Sequence, residues 1–155
     1  MSDPKYNFLY IPKLIIFSED TMKVLLAKRK GEADYDGAFS FIGGKMETSD
    51  GSIVEAIRRE KTEEIGEAAK IRVYLPATNN VLFRKSDGSQ CILPHYLAMF
   101  AGGEIKLNED EYSEYRWAAV DDLSTLNPKI ENIPDMVNWA LALKSFADTK
   151  DFVEV

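Results

Sequence analysis

"GGKMETSDGSIVEAIRREKTEEIG", residues 43–66, sets two glycines and a polar loop ahead of a segment crowded with acidic side chains. Ser52 followed three residues later by Glu55 is a capping-box pattern; it predicts a helix that runs to about Ile65 and stops at Gly66. Successive helical residues turn by about 100°, so Glu60, Glu63, Glu64 and Glu67 share a narrow arc of one face. Like charges three and four apart destabilise an isolated helix by a few tenths of a kcal/mol per pair, roughly. Arg59 is spaced to brace Glu63, and Lys61 to offset some charge, but a net acidic face remains. Such a face is either solvated, the commoner case for a glutamate-rich helix, or gathered around a hard divalent cation that prefers oxygen ligands and phosphate-bearing substrates. The neighbours favour the second reading. Gly43 and Gly44 end an apolar segment where backbone can approach a ligand closely. A P-loop is excluded, because Phe39 stands where its first glycine belongs and Met46 where Ser or Thr would follow the Lys.

Outward from that stretch, "NFLYIPKLIIF" (7–17) and "MKVLLAKRK" (22–30) read as a strand pair joined by the turn-like "SEDT", and "FSFI" (39–42) as a short apolar segment ending at the glycines. After the helix, "IRVYL", "NNVLFRK" and "QCILPHYLAMFA" read as strands, the last two joined by the hairpin turn "SDGS". "EYRWAAV" is a further strand, "VDDLSTL" one turn of helix, and "IPDMVNWALALKSFA" a terminal amphipathic helix with Pro134 in its first turn. Hairpin-like strand pairs around one mid-chain helix, with a second helix at the end, predict a mixed-sheet α/β sandwich over a single domain, residues 1–155.

A net charge of −7 argues against duplex nucleic acid, whose binding relies on clustered Lys and Arg. Small phosphorylated ligands remain compatible, since a metal ion supplies the positive charge that the chain lacks. No apolar run approaches the length of a membrane span and the first residues lack the signal-peptide pattern, so the expected setting is cytoplasmic. Cys91, the single cysteine, sits among strand residues and reads as a small buried hydrophobe.

The combination of "FIGGKME" with "RREKTEEIG" resembles the signature of the Nudix hydrolase family, with Gly44, Arg59, Glu60, Glu63, Glu64 and Gly66 as the matching residues. Fourteen residues separate Gly44 from Arg59, one more than in that family, and counting puts Gly51 in the place of the first box glutamate, with Asp50 beside it. Lys61 and Glu67 stand where hydrophobic residues are usual, and Ile42 where a proline is common.

The resemblance implies an α/β/α sandwich (α+β) with a mid-chain catalytic helix and a C-terminal helix. It implies Mg²⁺-dependent hydrolysis, with Mn²⁺ as a substitute, of a phosphoanhydride in a nucleoside diphosphate linked to another group. Under it, Glu60, Glu63, Glu64 and the Gly44 carbonyl are the metal ligands, Glu63 either ligating or being held by Arg59. Arg59, Glu60, Glu63 and Glu111 are the catalytic set, the general base being Glu60 or Glu111. Glu111, six residues before Trp117, matches the family's further acidic residue better than Glu114. Lys45, Phe39 and Tyr35 are the substrate-binding candidates; Phe83 and Tyr96 are further aromatics to weigh between stacking and core, and His95 reads as a strand residue facing a pocket or packed in the sheet. The stretch "VLFR" lacks the family's marks for ADP-ribose and diadenosine polyphosphate hydrolases. By analogy a homodimer is expected. The alternatives are a Nudix-like module that binds a nucleotide without cleaving it, and an interaction domain whose acidic helix is merely solvated.

Overall fold

The computed structural model describes residues 3–155. Pro12 breaks the first apolar run, because a proline has no N–H to give to a sheet ladder. Two strands result, β1 (Leu9–Tyr10) and β2 (Lys13–Phe17), both parallel to β6 (Gln90–Phe100). β3 (Lys23–Arg29) pairs antiparallel with β2, with β4 (Phe39–Ser40) and, over most of its length, with β7 (Tyr112–Ala119). The two strands expected at "IRVYL" and "NNVLFRK" are one long strand, β5 (Ile71–Arg84), whose register against β6 shifts between Val73 and Thr78, around Pro76. The hairpin from β5 to β6 turns at Gly88, which takes the positive φ that the turn requires.

A last strand, β8 (Phe152–Glu154), pairs with the start of β5 and was not expected. Three residues carry too little alternation to announce a strand. The sheet is therefore mixed and eight-stranded, in the order β4-β3-β2-β6-β5-β8, with β1 on β6 and β7 on β3.

Alternation along the strands builds two cores. Leu14 and Ile16 of β2 face Ile57 and Ile65 of helix α1 (Ile53–Ile65), while Ile15 and Phe17 face Ile133, Met136, Val137 and Ala140 of helix α2 (Ile133–Lys144). One helix covers each face, which is the predicted α/β/α sandwich. The terminal helix ends at Lys144, three residues earlier than its apolar pattern suggested. "VDDLSTL" makes a short 3₁₀ turn at Val120–Asp122. No helix among the described residues is long and apolar enough to cross a membrane.

Candidate active site

Helix α1 begins as its sequence requires. The Ser52 hydroxyl accepts the Glu55 N–H at 3.1 Å, and the Glu55 carboxylate reaches back to the Gly51 N–H at 2.7 Å. At the other end Gly66, with φ +92°, donates to the Thr62 carbonyl and closes the last turn. Lys61 does not act on the acidic face. It is buried, and its Nζ donates to the carbonyls of Gly66, Glu67 and Ala69 in the segment just past the helix.

Both glycines of the opening stretch answer to close approach. Gly43 has φ +142°, and a Cβ there would run into the Pro12 carbonyl. A Cβ on Gly44 would run into the Glu60 carboxyl group. The strand end and the helix face are thus in direct contact, and side chains larger than hydrogen would push them apart.

Arg59 ties the loop to the helix. Besides the expected contact with Glu63, its fork grips Asp50, Nε and Nη2 each 2.9 Å from one carboxylate oxygen. Nη1 donates to Glu60 Oε1 at 2.8 Å, and Nη2 also donates to the Lys45 carbonyl at 3.0 Å. Glu63 is a weaker partner at 3.4 Å, its side chain 54% exposed. The Arg59 hydrogen bonds hold the Asp50 carboxyl below its ordinary pKa, and the same bonds raise the guanidinium further. Asp50, beside Gly51, is therefore the loop carboxylate that meets Arg59.

Glu64 is the most enclosed member of the acidic face, 3% exposed. Its Oε2 accepts the Gly43 N–H at 2.7 Å and its Oε1 accepts the Tyr112 hydroxyl at 3.0 Å. Burial pushes its carboxyl up to about 8, against the pull of Lys13 and of the Gly43 N–H, with Glu111 and Glu60 adding to the rise. Glu60 is raised in the same direction, first by burial, with Glu63 and Glu111 repelling and Arg59 opposing.

Glu60, Glu64 and Glu111 all line one cavity of about 550 Å³, together with Gly44, Lys45 and Tyr35. Arg59, Glu63 and Phe39 lie outside it. Phe39 is a correction to the sequence reading: its ring is buried in the core on the α2 side, with the Arg116 guanidinium 4.8 Å from its centre, so it is not free to meet a ligand. Tyr96 is likewise core, on the α1 side. Glu114 is exposed on β7, opposite Lys28. Tyr35 and Phe83 lie 6.0 Å apart, ring centre to ring centre, on the cavity wall. Asp34 pins the Tyr35 loop to the hairpin tip by accepting the Ser86 N–H at 3.1 Å and its hydroxyl at 3.2 Å. Cys91 is fully buried as expected, with burial raising its thiol pKa.

Sequence reasoning missed Lys13, Tyr112 and the role of Asp50. Lys13 was visible as a lone charge inside "YIPKLIIF", a run otherwise apolar, and it is buried with its Nζ 3.1 Å from the Gly43 carbonyl. Tyr112 gave no signal, because its value is the contact with Glu64, 48 residues away in the chain.

The donor set suits a hard divalent cation. Among the described residues no three His, Cys, Asp or Glu side chains already surround a common point. The side chains that face the cavity nonetheless offer carboxylate oxygen, beside the backbone of Gly44, and the mutual repulsion of Glu60, Glu64 and Glu111 is the electrostatic state that a cation relieves.

A NUDIX domain model matches residues 13–140. The chain belongs to the NUDIX family. Membership sets the reaction class, hydrolysis of pyrophosphate bonds, and brings that family's general use of a divalent metal such as Mg²⁺. Among solved structures, this NUDIX chain is similar to a NUDIX-family hydrolase from Clostridium perfringens, at 22% identity and TM-score 0.71 over 89% of this chain and 99% of that one. It is similar to a MutT NUDIX hydrolase from Burkholderia pseudomallei at 26% identity and TM-score 0.67, covering 85% and 97%. It shares its fold with the NUDIX domain of Shewanella oneidensis NrtR, solved with ADP ribose, at 20% identity and TM-score 0.69, covering 94% of each. No curated protein sequence matches the chain.

Proposed function

We propose that this NUDIX protein, acting as one domain, hydrolyses a phosphoanhydride in a nucleoside diphosphate linked to another group, by Mg²⁺-dependent attack of water at phosphorus. The observation that carries the reading is the convergence of Glu60, Glu64 and Glu111 on one cavity beside the Gly44 backbone. Bound there, a divalent cation supplies positive charge to the phosphate oxygens and acidifies water.

The chain's own residues then divide the work. Glu60, Glu64 and the Gly44 carbonyl are the metal-holding groups, and Arg59 and Tyr112 fix the first two carboxylates by hydrogen bonds. Glu63, half exposed and off the cavity, is the partner of Arg59. Glu111, on the loop before β7, is the general base: it borders the cavity, while one oxygen of Glu60 is committed to Arg59. Lys45 and Tyr35 border the same space and are the substrate contacts. A nucleotide-derived ligand also suits the fold, since the NrtR NUDIX domain holds ADP ribose. The buried, unpaired Cys91 suits a reducing, cytoplasmic setting.

The test is a metal-dependent screen of nucleoside diphosphate sugars, dinucleoside polyphosphates, ADP-ribose, NADH and nucleoside triphosphates, read by chromatographic separation of the phosphorylated products from the intact substrate. Turnover that needs Mg²⁺ and is lost in Glu111→Gln supports the reading. Metal and nucleotide binding without turnover across the panel would leave the binding module in its place.

A further inference from the structure

Tyr35 has a φ of +56°, a conformation that a bulky side chain keeps only where its surroundings impose it. Here hydrogen bonds impose it. Arg29 Nε donates to the Asp34 carbonyl at 3.3 Å, and the Ala38 N–H donates to the Tyr35 carbonyl at 3.1 Å. The Asp34 carboxylate clips the loop to the tip of the β5–β6 hairpin, one oxygen accepting the Ser86 N–H at 3.1 Å and the other the Ser86 hydroxyl at 3.2 Å. The clip sets the Tyr35 ring on the cavity wall, 47% exposed, 6.0 Å from Phe83 and inclined to it by 44°.

Phe83 belongs to an apolar floor. Along the hairpin Phe83 is the register partner of Cys91 and Val81 that of Leu93, and paired residues project to the same face of a sheet. All four line the cavity. Cys91 lies four residues before His95 on β6, about 13 Å along the strand. His95 marks the other end, because its partner Lys13 reaches the Gly43 carbonyl and the Gly43 N–H reaches Glu64. The cavity is thus apolar and aromatic along the hairpin and acidic at helix α1. A nucleoside diphosphate has the same polarity, a flat ring at one end and phosphates at the other.

We propose that Tyr35 and Phe83 stack on the nucleobase and that Asp34 is a positioning residue, holding Tyr35 in the left-handed conformation that presents its ring. The inference rests on the nucleotide reading of the cavity. Stacking uses the ring face that every base has, so the contact needs no hydrogen-bond pattern on the base. A loop tyrosine freed from Ser86 would leave the positive φ for commoner backbone conformations, and binding would then have to reorder it. Both Asp34 oxygens are committed to Ser86, so Asp34 acts through Tyr35 and not by touching the base.

Adenosine and guanosine carry a base and a ribose without phosphate, so they test this end of the cavity alone; ribose is the control. In EDTA, followed by NMR, both nucleosides should bind and shift the ring signals of Tyr35 and Phe83, assigned by their loss in Tyr35→Leu and Phe83→Leu. Ribose should do neither. Tyr35→Ala should weaken both nucleosides about fivefold or more, the loss typical of removing one stacked ring, and Tyr35→Phe should not. Asp34→Ala should cost a comparable factor, and Asp34→Asn, which keeps an oxygen for Ser86, much less. In a chain that already carries Tyr35→Ala, Asp34→Ala should add nothing. Binding of neither nucleoside, binding that leaves those rings still, unchanged affinity in Tyr35→Ala, or an Asp34→Ala loss that persists in the Tyr35→Ala chain would each overturn the proposal. The wild-type titration decides even if a variant fails to fold. Neither metal nor turnover enters the measurement, so its failure is separate from failure of the hydrolase reading.

Discussion

Helices α1 and α2 have 13 and 12 residues and cover opposite faces of one sheet, yet they use burial differently. α2 buries Ile133, Met136, Val137 and Ala140, all apolar. α1 buries Ala56, Ile57 and Ile65 with Lys61 and Glu64 among them, and each buried charge must find partners: backbone carbonyls for Lys61, the Gly43 N–H and Tyr112 for Glu64. Burying a carboxyl group costs stability unless it is hydrogen-bonded or neutralised. α2 therefore contributes to stability, and α1 trades part of its packing for a set of oxygen donors.

The largest expected effect that would break this contrast lies at Glu64. Glu64→Gln keeps the shape and the capacity to accept from Gly43, and turnover should fall by about a hundredfold or more, as when a charge-stabilising group is removed from a transition state. Its melting temperature in EDTA should not fall. Wild-type turnover in this variant would remove Glu64 from the site.

Met136→Ala on α2 should behave in the opposite way. Loss of a buried methionine costs about 2–5 kcal/mol, measurable by denaturant unfolding, while turnover per folded molecule stays near wild type. A large loss of turnover with no loss of stability would erase the distinction between the helices.

A subtler consequence is the pH dependence of the metal-free fold. The Glu64 carboxyl, raised by burial from 4.5 to about 8, holds its proton more tightly folded than unfolded. Its contribution is complete below pH 4.5 and is lost as pH rises toward 8, because the unfolded chain releases the proton first. Melting in EDTA across that window should show a falling midpoint, and Glu64→Gln should flatten it. An equal slope in both proteins would assign the dependence to other groups.

The smallest effect is expected at Glu63. Its side chain is half exposed and held loosely by Arg59, and exposed ion pairs contribute roughly 0–1 kcal/mol. Glu63→Gln should change turnover by less than about fivefold, in keeping with that range; a loss matching that of Glu64→Gln would restore it as a ligand.

Much of the frame was legible before any coordinates. Ser52, Glu55 and Gly66 bound α1 because capping is local chemistry, satisfied within a turn of the chain. The strands were legible from β-branched runs, although Pro76 was read as a boundary where β5 absorbs it in a register shift. Less was visible of the site. Spacing alone does not tell which loop carboxylate meets Arg59, and the contact with Asp50, nine residues away, is visible only in the fold. Phe39 looked as available as Tyr35, but which side of a two-residue strand faces the core depends on pairing with β3.

By itself the amino-acid sequence determined the boundaries of α1, the acidic spacing of Glu60 and Glu64, and the glycine pair, since each follows from interactions a few residues long. The tertiary structure decided which of those carboxylates is buried, which arginine partner closes the loop, and that Lys13 and His95 stand side by side. These depend on contacts between residues 9 to 82 positions apart, such as Arg59 with Asp50 and Lys13 with His95. Long-range pairing is set by the packing of the whole sheet, and no local pattern in the chain encodes it.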